Sequence, residues 1–277
     1  MAEGERVFGY LPMSTHLVVA ADHLDRSGFI DAAPHRRTLP AIYNQYSLVA
    51  NDPAYEVERE DQQMLFRPLF MTAFLLDDFL ADNGLFGARR VVLSSASSKT
   101  ALGLAFLLHR NRRSQCDVTG LTSPGNVAFV DSLGCYDRVA TYDQIRSLPP
   151  EVPAVFVDMA GDGVVLNALH HHYGDNMKHS CIVGATHWER RAREGELPGA
   201  QPTFFFAPTQ LQKRVREWGP GGLQQRYGTA WRQFLAFTEP RIRVVHGRGR
   251  AAVERVYLET LEGRSRPDEG HVLSLWE

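Results

Sequence analysis

Short apolar runs alternate with mixed apolar and polar stretches between residues 90 and 187. Residues 152–158 are apolar almost throughout and end in an acid, which is typical of a parallel strand buried on both faces. Strands that alternate with helices predict right-handed βαβ units and a doubly wound parallel sheet. The predicted strands are residues 90–93, 115–121, 138–140, 152–158 and 179–184, and the predicted helices are residues 99–109, 126–133 and 164–173.

The segments on either side of this region have other patterns. Residues 5–50 combine short apolar stretches with turns and predict β structure, whereas residues 62–82 predict a long apolar helix that Pro68 could kink. Helices are also predicted at residues 208–237, with an interruption at 219–222, and at residues 251–262, before a closing strand at 270–276.

These patterns divide the chain into three parts. Residues 1–84 form a β-rich part with a linking helix, and residues 85–210 form a doubly wound α/β domain. Residues 211–277 supply C-terminal helices and the closing strand.

Composition and charge narrow the choice of partners. The chain has 277 residues, of which 44% are hydrophobic, and a net charge of −2, so it can bury a sizeable core and offers no basic field to nucleic acid or an anionic membrane. Its three scattered cysteines do not suggest a disulfide framework, which fits a reducing compartment. No apolar run approaches the roughly 18 residues of a membrane span, and the first residues lack the apolar core of a signal peptide. We expect a cytoplasmic protein whose partner is a small molecule.

A bend of small residues, Ser-Ser-Ala-Ser-Ser at 94–98, separates the predicted strand at 90–93 from the helix that follows. The N–H groups and the positive dipole end of a helix N-terminus suit a phosphate group, and small side chains let the backbone approach it closely. The usual fingerprint is glycine-rich, G-x-G-x-x-G/A, and serine largely replaces glycine here. The alternative is an ordinary strand–turn–helix junction. The candidate phosphate contacts are Ser95, Ser97, Ser98, Lys99 and Thr100.

The end of the second predicted strand bears on the choice between NAD and NADP. NAD-binding proteins place an acid there for the ribose hydroxyls, and NADP-binding proteins avoid that charge. Residues 122–126 contain no acid, which favours NADP, with Thr122, Ser123 and Asn126 as candidate contacts. The alternative is that these are turn residues, since Ser, Pro, Gly and Asn all favour turns.

Two further strand ends carry candidate residues at the same edge of the sheet, where open α/β sheets bind ligands. Asp158 ends one strand and could line the cofactor groove or, alternatively, cap the next helix. Gly184 ends the next strand, and His187 follows it as a candidate proton donor or an ordinary loop histidine.

Three consecutive histidines, His170, His171 and His172, do not predict a metal site. Consecutive helical residues point about 100° apart, so the three rings cannot all face one ion. A helix end, where histidine complements the dipole, is the favoured interpretation.

Several motifs resemble the medium-chain dehydrogenase/reductase superfamily. Residues 4–9, Gly-Glu-Arg-Val-Phe-Gly, are similar to the G-D-R-V-x-G strand of its GroES-like half. Residues 91–105 stand where zinc-free quinone reductases carry V-T-G-A-S-G-G-V-G-L-A. Residues 43–46 and 67–79 resemble a narrower bacterial branch without an assigned function. Further matches in the expected order are residues 121–123, 132–134, 157–158, 182–184 and 270–273.

The resemblance implies a Rossmann-like doubly wound sheet joined to a partial GroES-like β domain. It also implies a zinc-independent, NADP-dependent reductase that acts on a carbonyl or an activated alkene, and a homodimer. Tyr43 and Tyr46 are then candidate proton donors, because reductases often use a tyrosine as acid; aromatic packing is the alternative.

The chain departs from the superfamily pattern in two ways. Ser95, Ser98, Lys99 and Ala101 stand in place of glycines, and only three residues precede the strand at 4–9, where the superfamily has a longer segment. We expect either that the reading frame extends upstream or that part of the first domain is lacking. The alternative function is a non-catalytic relative that binds a nucleotide or an acyl-type ligand, or that serves as a partner subunit.

Overall fold

The structure, a computed structural model, describes residues 1–184 and 196–277. It contains two compact units, Met1–Arg67 with Ile242–Glu277, and Pro68–Arg241. The second unit extends past residue 210 because the helix at residues 207–238 packs its aromatic side chains on other helices of this unit.

The first unit opens with four short antiparallel strands. These are β1 (Val7–Phe8), β2 (Ala21–Asp22), β3 (Gly28–Asp31) and β4 (Gln45–Leu48), in the order β1-β4-β3-β2. Helix α1 (Glu60–Asp82) starts in this unit, continues into the second, and contains Pro68. The β structure and the long helix confirm what the apolar pattern of residues 5–82 predicts.

The second unit is built on a six-stranded sheet in which every pair of neighbours is parallel. The order is β10-β9-β8-β5-β6-β7, so the predicted doubly wound sheet is confirmed. Strand β10 lies at the edge and was not predicted, because three residues that begin with a proline give no periodic signal. The strands are β5 (Arg90–Leu93), β6 (Asp117–Thr122), β7 (Arg138–Thr141), β8 (Ala154–Asp158), β9 (Met177–Ile182) and β10 (Pro202–Phe204).

Helices α2 (Lys99–Arg112), α3 (Val127–Ser132) and α4 (Gly163–Tyr173) connect these strands. All of β5 and β8 is buried, as expected for strands of a parallel sheet with helices on its faces. Residues 101–108 of α2 are also buried, so this helix is enclosed nearly all round.

Helix α5 (Ala207–Thr238) explains the boundary of the second unit. Its residues Tyr227, Trp231 and Phe234 are buried and spaced to share one helix face. Phe234 stacks on Phe70 of α1 with ring centroids 4.3 Å apart, and lies 5.6 Å from Phe106 of α2. The helical direction breaks at Gly219, inside the predicted interruption, where φ is +70°.

The chain ends in the first unit with a βαβ segment. Strands β11 (Arg243–Arg248) and β12 (Glu269–Ser274) are parallel, and α6 (Gly249–Leu261) joins them. The closing strand and α6 confirm predictions, whereas the sequence does not predict β11, because its residues are exposed or half-buried and it lacks a buried apolar run. Throughout the two described ranges, each helix is too short or too polar to cross a lipid bilayer.

Candidate functional site

The bend at residues 94–98 is fixed by backbone hydrogen bonds and by two tyrosine phenols. Ser95 has a φ of +47°, in the left-handed region that residues other than glycine rarely adopt. Its N–H donates to the Oη of Tyr142 at 3.0 Å, and the N–H of Ala96 donates to the carbonyl of Leu121 at 2.9 Å. Ser95 stands at the first glycine position of the fingerprint, and its backbone has a conformation typical of glycine.

Helix α2 begins directly after this bend. The Oγ of Ser98 accepts a hydrogen bond from the N–H of Ala101 at 3.3 Å, so Ser98 is the N-cap. Within the described part of the chain, the N–H of Thr100 donates no hydrogen bond. That amide lies at the positive end of the helix dipole and can bind an anion.

The ends of β5 and β6 bring predicted residues together. The Nδ2 of Asn126 donates to the Oγ of Ser97 at 3.2 Å, which ties the bend to the turn that follows β6. Ser123 is exposed in that turn. Thr122 is 1% exposed, and its Oγ1 has no hydrogen-bond partner among the residues described, so this buried hydroxyl is still unsatisfied.

Sequence reasoning missed two tyrosines that flank the bend. Tyr136 donates from its Oη to the carbonyl of Ala96 at 2.8 Å, and burial raises the pKa of its phenol well above the usual value. A Cβ on Gly120 would come within 2.8 Å of the Tyr136 ring, so the strand needs glycine there. Tyr136 precedes β7 and Tyr142 follows it. The pairing of β7 with the sheet brings both to the bend, and the local sequence does not predict that pairing.

Asp158 links the ends of β5 and β8. Its Oδ1 accepts hydrogen bonds from the Oγ of Ser94 at 2.9 Å and from the N–H groups of Ala160 and Gly161 at 3.0 and 2.9 Å. Burial raises the pKa of this carboxyl, and the Gly161 and Ala160 amides oppose that shift.

The alternative that Asp158 caps the next helix is wrong. Asp162 is the N-cap of α4, and its carboxylate accepts from the N–H groups of Val164 and Val165.

Gly184 lies against the backbone that follows β8. Its N–H donates to the carbonyl of Asp158 at 3.3 Å, and a Cβ at this position would lie 2.0 Å from the Met159 carbonyl oxygen. The ends of β8 and β9 therefore meet at a point where only glycine fits. His187, the candidate proton donor after β9, lies outside the described residues.

The two candidate tyrosines belong to the first unit. Tyr46 is 1% exposed, stacks on Phe29 with centroids 5.1 Å apart, and donates from its Oη to the carbonyl of Tyr10 at 2.9 Å. These contacts match the packing alternative for Tyr46. Tyr43 is half-buried and meets the Tyr10 ring edge-on at 5.4 Å.

The consecutive histidines contact three different carbonyl groups. The Nδ1 of His170 lies 2.9 Å from the Pro198 oxygen, and the Nε2 of His172 lies 2.7 Å from the Leu148 oxygen. His171 contacts the carbonyl of Asn167 in its own helix at 2.9 Å. Across residues 1–184 and 196–277, no group of three or more His, Cys, Asp or Glu side chains is placed to hold a metal ion.

The bend lies where the strand order of the sheet reverses. Strand β5 is flanked by β6 on one side and by β8 on the other, and the chain turns from one side to the other between β7 and β8. Open α/β sheets bind ligands outside the carboxyl ends of the strands at such a switch point. Fold and site together define a doubly wound α/β protein with a phosphate-compatible helix N-terminus at its switch point.

The chain belongs to the family DUF2855, described as "Protein of unknown function", whose model matches residues 1–266. No curated protein matches the chain. Among solved structures it is similar to the yhdH oxidoreductase from Salmonella enterica in complex with NADP, at 13% identity and a TM-score of 0.54, over 84% of this chain and 69% of that one. YHDH from E. coli K-12 with bound NADPH is similar at 13% identity and a TM-score of 0.50, over 84% of this chain and 72% of that one. At this identity the likeness shows a shared fold.

Proposed function

We propose that the chain binds NADP(H) at the bend before α2 and acts as a zinc-independent reductase of a carbonyl or an activated alkene. The observation that carries the proposal is the left-handed bend at Ser95, followed by the Thr100 amide at the N-terminus of α2 and placed at the switch point of the sheet. The similar structures from Salmonella enterica and E. coli, which hold NADP and NADPH, support it.

The residues around the bend fit a dinucleotide phosphate. The Thr100 amide and the helix dipole supply a binding site for negative charge, and Lys99 adds a positive side chain beside it. No carboxylate stands at residues 122–126, where it would repel a 2′-phosphate, and Ser123 presents an exposed hydroxyl in that turn. These features favour NADP over NAD.

In this proposal the protein binds and orients while NADPH, when bound, supplies hydride. The Asp158–Ser94 hydrogen bond holds the ends of β5 and β8 in position beside the bend. Tyr43 and His187 are the candidates for delivering a proton to the substrate. Tyr46 is set aside because its hydroxyl hydrogen is already donated to a backbone carbonyl within a packed aromatic pair.

Titration with NADPH and NADH, followed by nicotinamide fluorescence, tests the proposal. We expect NADPH to bind more tightly than NADH, and Lys99→Glu to weaken NADPH binding by about tenfold or more, because it reverses a charge next to the phosphate site. Arg113→Glu is the matched control, since Arg113 is an exposed residue at the other end of the same helix. We expect it to leave the affinity unchanged.

Two outcomes would contradict the proposal. If neither coenzyme binds, the alternative of a non-catalytic relative or partner subunit is favoured. If Lys99→Glu and Arg113→Glu bind NADPH as the unaltered chain does, the coenzyme lies somewhere other than the bend.

A further inference from the structure

A cavity lies at the opposite end of α2 from the bend. It has a volume of about 790 Å³ and is lined by residues of α1, α2 and α5. The break in α5 at Gly219, which precedes Pro220, shapes it, because Trp218 and Gly222 on either side of the break both line the cavity. A volume of several hundred Å³ is that of a small-molecule site.

The charged groups of this cavity are predominantly positive. Arg110, from the last turn of α2, and Arg226, from α5, both line it. Neither guanidinium has a carboxylate partner among the described residues, whereas the one acidic lining residue, Glu217, already pairs with Arg214. The guanidiniums of Arg226 and Arg214 both lie over the indole of Trp218, 4.6 and 4.7 Å from the ring centroid, which holds the Arg226 cation in place.

The same cavity has an apolar wall. Phe74 of α1, Leu107 of α2 and Ala230 of α5 contribute to its lining beside Trp218. Leu107 is fully buried and Phe74 is half-buried, so the apolar wall is continuous with the packed core. A planar apolar group against this wall would place an attached anionic group within the field of the two guanidiniums.

We propose that this cavity binds a small aromatic carboxylate, with its ring against Phe74 and its carboxylate on Arg110 and Arg226. Thr100 and Arg110 are ten residues apart in α2, so this site lies roughly 15 Å along the helix from the bend. The inference does not rest on the proposed coenzyme, and at this separation we expect the two sites to bind independently of each other.

Isothermal titration of the full chain with 2-naphthoate and with its neutral analogue 2-naphthamide tests this inference. We expect naphthoate to bind in a saturable way and more tightly than naphthamide, with an affinity that falls as salt is added. Arg226→Gln and Arg110→Gln should each weaken naphthoate binding by about tenfold, the loss of one charged hydrogen bond. Binding should be the same with and without saturating NADPH.

Arg232→Gln is the matched control, because Arg232 is an exposed residue of α5 that does not line the cavity. It should bind naphthoate as the unaltered chain does, and circular dichroism should show all variants equally folded. The inference is overturned if naphthoate shows no saturable binding, if naphthamide binds equally well, or if the Arg110→Gln/Arg226→Gln double variant keeps the original affinity. Loss of naphthoate binding on adding NADPH would place the carboxylate at the bend and also overturn it.

Discussion

The backbone N–H of Ser95 donates a hydrogen bond to the phenol oxygen of Tyr142, 47 residues away, at 3.0 Å. Tyr142 follows β7, and its ring packs against the buried cluster of the parallel sheet. The left-handed conformation of Ser95 costs about 1–2 kcal/mol for a residue with a side chain, so the bend needs contacts that hold it. The phenol provides one, because it accepts the hydrogen bond of the Ser95 amide.

Tyr142→Phe should therefore lower the free energy of unfolding by about 1 kcal/mol, since it leaves the Ser95 amide without its partner while keeping the ring. Urea denaturation measures the change. Tyr257→Phe is the control, because Tyr257 is a half-exposed residue of α6, and it should have no effect. Equal stability of Tyr142→Phe and the unaltered chain would mean that the phenol does not hold the bend.

Ser95→Gly should act in the opposite direction. Glycine adopts positive φ without steric cost, so relief of strain exceeds the extra freedom of the unfolded chain, and we expect a gain of about 0.5–1 kcal/mol. Ser95→Ala is the comparison, because it removes the hydroxyl and keeps the strain. If urea denaturation shows the alanine variant to be as stable as the glycine variant, the conformation at Ser95 is not strained.

Gly184→Ala should be strongly destabilising. The added Cβ would lie 2.0 Å from the carbonyl oxygen of Met159, a backbone atom that cannot move without separating the ends of β8 and β9. We expect a loss of about 2 kcal/mol or more and a clearly lower thermal midpoint. Gly125→Ala serves as the control, since a Cβ there meets nothing within 4 Å. A thermal midpoint for Gly184→Ala equal to that of the control would contradict the close approach.

The parallel sheet could be predicted because its signal is local. The strand predicted at 152–158 is found at Ala154–Asp158, and the helix predicted at 164–173 is found at Gly163–Tyr173. Buried strands give continuous apolar runs, and the turns between them are rich in small residues. Strands β10 and β11 carry no such run, and only their pairing with neighbouring strands makes them strands.

The candidate site was less predictable because its contacts join distant parts of the chain. The bend itself is a local feature, but the partner of Asp158 is Ser94, 64 residues earlier, and that contact depends on the register of β5 against β8. Asp158 and Asp162 are four residues apart. The sequence pattern does not locate the start of a helix that closely, so it cannot show that Asp162 is the N-cap.

A buried histidine makes stability depend on pH. The ring of His179 stacks on Phe86 with centroids 3.9 Å apart, and its buried Nε2 has no hydrogen-bond partner among residues 1–184 and 196–277. Burial lowers the pKa of His179 below its usual value near 6.5. The unfolded chain therefore takes up this proton first. The contribution of His179 to stability is fully present above the unfolded pKa and is lost as pH falls through it toward the lower folded pKa.

His179→Phe should keep the stack and remove this loss. We expect the free energy of unfolding of the unaltered chain to decline between about pH 7 and pH 5 more steeply than that of the variant. Urea denaturation at a series of pH values measures both slopes. His35→Gln, at an exposed position, should decline as the unaltered chain does, because that ring is not buried. Parallel curves for His179→Phe and the unaltered chain would show that the His179 proton is bound equally in the folded and unfolded states.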